Sequence, residues 1–284
     1  MTLDDLQILR LRLHRLDPSR PLRDARAAAV FVRERDIVME SGRASLPVLT
    51  EAIAGRQIRG SWMADREVFR IYGILGNIQK YGVTSAPIVG GKETLFSPEL
   101  SPFIERVAAD TSRREQSRAR LTPLAGELLD EVERTGEVRM DRWPGPPRAA
   151  RAARLLLMRQ LLVWSRSMHT ERGYHTAVVI PWRASAFSSR FTRRAARIEY
   201  ERAQRVLLQA AIRAAVVAPE REVRGWFVFG AGPLDTMIDE GRLQRFQVGR
   251  TTWLAPATRA APARVLRERA GRSRPARRRG DRGR

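Results

Sequence analysis

Leucines at positions 3, 6, 9, 13 and 16 fall at three- and four-residue steps, the spacing of one helix face, until Asp17-Pro18-Ser19 and Pro21 interrupt the pattern. Residues 25–35 predict a second helix. After Gly42, Ser45-Leu46-Pro47 opens a short helix that runs through Ala54 and stops at Gly55. From about Asp65, whose carboxylate suits an N-cap, Val68, Ile71, Tyr72, Leu75 and Ile78 make one apolar stripe that ends at Tyr81-Gly82. The period then shortens to that of strands. Residues 85–89 and 93–97 flank Gly90-Gly91 and read as a hairpin.

The same order returns twice. Leu124, Leu128, Leu129 and Val132 stripe a helix that stops at Thr135-Gly136; a short segment at 137–140 and the break Pro144-Gly145-Pro146-Pro147 follow. An arginine-rich helix spans 148–160, and strands at 161–165 and 177–180 enclose residues 170–173. In the third pass Phe191, Ala195 and Ile198 predict one long helix to about Ala215. A short helix from Pro219, another from Leu234 to Glu240, and a hairpin over Gly249-Arg250 complete it, with Trp253 as its anchor. Helices followed by a small hairpin are the winged-helix pattern. The chain is therefore read as mainly α with small β-hairpins (α+β): three tandem winged-helix units at 1–110, 111–185 and 186–256.

Charge changes this picture. The 284 residues carry 53 basic and 31 acidic side chains, a net +22, and 51 of the basic residues are arginine. Residues 257–284 hold 11 arginines against Glu268 and Asp281, a net +9 without apolar periodicity, and read as a disordered basic tail. Residues 1–256 retain +13, so the folded part is itself basic, and a field of this sign attracts polyanions, nucleic acid foremost. The absence of cysteine excludes disulfides, thiolate metal sites and a cysteine nucleophile. No apolar run approaches the ~20 residues of a membrane span, and the N-terminus is not a signal peptide. A cytoplasmic, nucleoid-associated monomer is expected.

A winged helix binds a duplex by laying its last helix against a groove and pressing its hairpin on the backbone, so both should carry cations. In the second unit Arg148, Arg151 and Arg154 lie at three-residue steps on one helix, with Arg166, His169, Glu171, Arg172 and His175 in the hairpin; in the third, Arg245 and Arg250 flank the hairpin. These ten are the candidate DNA contacts. The histidines and Glu171 lack the helical spacing of a metal site, and none is assigned. Glu34 and Asp36, two apart and flanked by arginines, are the candidate catalytic carboxylates.

The order of elements, with residues 45–55 before the first long helix and His169-Thr170-Glu171-Arg172-Gly173-Tyr174-His175 in the second hairpin, resembles the AlkZ/YcaQ-like family of bacterial tandem winged-helix proteins, over roughly residues 20–256. The resemblance implies a C-shaped body around a basic channel, and excision of alkylated bases or unhooking of interstrand crosslinks in double-stranded DNA. Water would attack the N-glycosidic bond without metal or organic cofactor. The family positions that water with a Gln-x-Gln or Gln-x-Asp motif, which this chain lacks; Glu34-Arg35-Asp36 is the nearest match. A non-catalytic DNA-binding protein, a regulator or nucleoid factor, is the alternative.

Overall fold

The computed structural model describes residues 2–257 except Arg172, so the expected contact at Arg172 and nearly all of the expected tail lie outside the described residues. The first part runs α1 (Leu3–Leu13), α2 (Ala25–Arg35), β1 (Ile37–Met39), α3 (Leu49–Ala54), α4 (Val68–Asn77), β2 (Thr84–Val89) and β3 (Lys92–Phe96). Two helices, α5 (Ser101–Ala109) and α6 (Thr111–Arg118), lead to α7 (Pro123–Thr135), β4 (Val138–Arg139), α8 (Pro147–Arg159), β5 (Val163–His169) and β6 (His175–Pro181). The last part is α9 (Ala186–Ala195), α10 (Tyr200–Ala215), β7 (Ala218–Pro219), α11 (Glu220–Val223), α12 (Gly232–Asp239), β8 (Leu243–Val248) and β9 (Thr251–Pro256). The fold is thus mixed α and β, with three small antiparallel sheets of identical topology: in each, the third strand lies between the first and the second.

The three repeats share a local device. Each helix that precedes a first strand ends on a residue with positive φ, which turns the chain sharply into the strand: Asp36 (φ 66°, ψ −46°), Gly136 (φ 82°, ψ −27°) and Val216 (φ 68°, ψ −52°). Only glycine takes this conformation freely; for the other two it stores strain of about 1–3 kcal/mol that packing must offset. The Asp24 side chain caps α2 through the Ala27 amide, and Gly55 and Gly82 close the elements before them.

Four expectations need correction. The helix expected from Phe191 to Ala215 is two helices, because residues 196–199 turn and leave the Ile198 carbonyl free to accept from Arg106 Nε at 2.9 Å. Helix α3 begins at Leu49, since Pro47 and Val48 are held beside β1 by the Met39 amide and a parallel bridge. Asp65 does not cap α4; it accepts from the Glu67 amide and pairs with Arg56 at 2.8 Å. Tyr72 leaves the apolar stripe: Ile71, Ile74 and Ile78 are buried, whereas Tyr72 is 70% exposed.

The first sheet is covered on both faces. Val38 and Leu95 pack with α2, α3 and α4, while Ile37, Met39 and Phe96 join a larger core that continues through Ile104, Trp182, Phe187 and α10 to Trp226 and Leu254. Helix α1, first in sequence, packs instead on the last part of the chain: Leu6 meets Val217 and Ala255, and His14 Nε2 lies 3.0 Å from the Ala214 carbonyl. The middle unit has its own core of Leu128, Leu129, Val132, Leu157, Val163 and Val179. Two joints tie it to the rest. Buried Arg113 donates to the carbonyls of Val107, Ala108 and Gln160 at 2.7, 2.9 and 2.6 Å. The β2–β3 turn is wedged between other elements, with the Gly90 amide donating to Trp226 O at 3.0 Å and Gly91 against the backbone of Arg159.

Candidate nucleic-acid interface

The helix that precedes each hairpin occupies the same place three times, and its outward face differs each time. On α4 that face is aromatic: Phe69 is 90% exposed and Tyr72 70%, with Met63 beside them in the preceding turn. On α12 it is acidic, presenting Asp235, which pairs with Arg224 at 2.7 Å, and Asp239. On α8 it is cationic. The sequence of α8 contains no carboxylate, and among the described residues none pairs with Arg148, Arg151, Arg154 or Arg159. Small alanines at 150 and 153 and Leu157 are buried against α7 and the sheet, which turns Arg148 and Arg151 out to solvent.

The β5–β6 hairpin continues this surface. Its base is buried through Val163, Val178 and Val179, but its outer half, residues 166–171 and 173–176, lies open or only partly covered. Register places His169 opposite His175, their rings 4.1 Å apart, and His175 Nδ1 lies 3.4 Å from Ser167 Oγ. Arg166 is exposed, with Glu137 3.8 Å away. Glu171 at the tip faces Arg142 of the 140–146 loop at 3.5 Å. Among the described residues no three His, Asp or Glu side chains converge as metal ligands would.

Between α8, the hairpin and the 140–146 loop lies an open groove of about 600 Å³. Arg151, Arg154, Arg166 and His175, four of the expected contacts, line it together. Arg154 differs from its helix neighbours. It is half-buried, donates from Nη1 to Ser165 Oγ at 3.0 Å, and burial, with Arg151 nearby, pulls its pKa below the ordinary arginine value.

The third unit's cations are largely spent. Arg245 donates to Glu220 from Nε and Nη2, both at 3.0 Å, and Glu220 also holds Arg224 at 2.6 Å; these bonds, Arg245's first, lower the Glu220 pKa. Arg245, an expected DNA contact, is thus half of a bidentate ion pair with Glu220. Arg250, at the hairpin turn, remains exposed.

Glu34 and Asp36 have separate surroundings. Glu34 is exposed on α2, whereas Asp36 accepts from Ser97 Oγ at 3.3 Å and pairs with Arg213 of α10 at 3.2 Å, linking first and third parts of the chain. Two further carboxylates lie in the first unit's sheet. Burial raises the pKa of Glu93, opposed by a hydrogen bond from Ser85; burial and the Glu93 charge raise that of Glu40, whose amide donates to Glu93 O at 3.0 Å. Sequence reading missed this pair because the two lie 53 positions apart and meet only through the β1–β3 pairing. No helix among the described residues is long and apolar enough to cross a membrane. Comparison of the chain with protein-family models, curated proteins and solved structures returns no match.

Proposed function

We propose that the protein binds double-stranded DNA through its middle unit, with α8 laid along a groove and the β5–β6 hairpin on the adjacent backbone. The observation that carries this reading is the contrast between α8, with four arginines that no described carboxylate pairs, and α12, whose neighbouring arginines are neutralised. Unpaired cations at the surface gain from releasing counterions at phosphates; paired ones have little to offer. Each of the three units is read as a winged helix. A C-shaped channel using all three would want cations on all three equivalent helices, so the duplex is assigned to the middle unit, with the basic tail as an accessory arm. Arg148 and Arg151 are the proposed backbone contacts.

Titration of a fluorescent duplex at several salt concentrations tests this. Affinity should fall steeply with salt. R148A and R151A should each weaken binding about uniformly across sequences and reduce the log–log slope by about one, whereas R245A leaves the slope unchanged. A flat salt response in the wild type rejects nucleic acid as the partner.

Base excision is the second reading, and Glu40 with Glu93 favours it. A partly buried carboxylate whose pKa burial raises is the kind of group that orients and deprotonates water. Incubation with duplex containing N7-alkylguanine should then generate abasic sites, with the rate falling by about 100-fold or more in E93Q and little in E34Q. No release above background at saturating protein leaves the non-catalytic binder.

A further inference from the structure

The groove beside α8 contains more than phosphate contacts need. The 140–146 loop, which stands where the first and third units have a short helix, places Trp143 in its wall together with Met140 and Met158. Trp143 is only partly buried, and because its indole N–H is covered by protein it is the ring that is open to the groove. Arg154 faces the same space. Its guanidinium is half withdrawn from water, bonded on one side to the neutral Ser165 hydroxyl and to no described carboxylate, and a cation so placed is stabilised by an anion. The wall is thus an aromatic and thioether surface next to a fixed cation, in a volume suited to a small ligand. Asp141, tied to Arg139 at 2.8 Å, adds an acceptor at the rim.

We propose that this groove takes a single unstacked nucleotide, its base against Trp143 and Met140 and its phosphate on Arg154. A planar heteroaromatic carrying an anion matches these features together; a bare phosphate would leave the Trp143 wall unused, and an apolar ligand would leave Arg154 uncompensated. The inference rests on the duplex-binding reading for its source of nucleotide, an unpaired residue extruded from a strand. A free nucleotide has the same chemistry.

The experiment compares two duplexes of equal length, one fully paired and one with a single-nucleotide purine bulge, by fluorescence anisotropy, and adds a purine 5′-monophosphate as a separate ligand. The wild type should prefer the bulged duplex by about tenfold. R154Q and W143L, each checked for native circular dichroism, should bring that ratio close to one; if W143L fails to fold, R154Q alone decides. Equal affinity for both duplexes in the wild type, or a preference that survives R154Q, overturns the proposal while duplex binding stands. If neither duplex binds, the duplex reading falls and the monophosphate decides: binding that is lost in R154Q assigns the groove to free nucleotides, and no binding overturns the inference as well.

Discussion

His14 shows how one buried side chain sets a pH response. It is 3% exposed on α1, bonded to the Ala214 carbonyl, and faces Arg10 and Arg35; burial foremost, with those two charges, lowers its pKa to about 3, against the Ala214 bond. The folded protein therefore holds His14 neutral across a range where the unfolded chain protonates it. Its contribution is complete above the ordinary imidazole value of about 6.5 and is lost as pH falls toward 3, by up to about 1.4 kcal/mol per pH unit. Urea unfolding between pH 6.5 and 4 should show this slope, reduced by about one proton in H14Q; identical slopes in both proteins reject the assignment. The sequence announces none of it, since His14 is one more polar position after an amphipathic leucine stripe. Arginine is similarly opaque. Arg151 and Arg245 look alike in sequence, and only the fold, by bringing Glu220 to Arg245, separates the free cation from the neutralised one.

At the scale of elements the sequence was far more informative. Period and punctuation located α2, α8 and the first and third hairpins closely, because apolar spacing and turn glycines act over a few residues, whereas the middle hairpin's first strand, expected at 161–165, runs from Val163 to His169. The break between α9 and α10 left no such mark: residues 196–199 hold neither glycine nor proline, and the turn is fixed by a long-range bond from Arg106. The β2–β3 turn has a second role that its Gly-Gly signature does not reveal. A Cβ at Gly91 would lie 2.9 Å from Arg159 Cβ and 3.1 Å from its Cα, whereas at Gly173, with the same φ of 77°, it would meet nothing within 4 Å. G91A and G173A therefore share the conformational penalty but only the first adds a clash. Chemical denaturation should find G91A less stable than G173A by about 1–3 kcal/mol; equal losses would mean that the turn only approaches α8 and does not support it.

For the whole molecule, the threefold recurrence of helix and hairpin was legible, and the sheets repeat one topology three times. What was not legible is the division of labour among the repeats. The charge count of +13 outside the tail suggested a uniformly basic body, yet the exposed faces of α4, α8 and α12 are aromatic, cationic and acidic. Nor did chain order show that α1 belongs beside β9, or that the first and third parts share one core while the middle unit keeps its own. Such features depend on contacts between residues that are up to 200 positions apart, for which local pattern holds no signal.

The wedged Gly90-Gly91 turn also bears on how this architecture can change over evolutionary time. A hairpin tip that faces water can gain or lose residues at little cost, as the middle hairpin can beside Gly173. The 90–91 tip cannot, because an added residue would have to enter the space already shared by Arg159 and Trp226. Length variation among descendants of this chain should therefore accumulate at the middle hairpin, where new binding preferences can be tried, while the first hairpin keeps its two-residue turn.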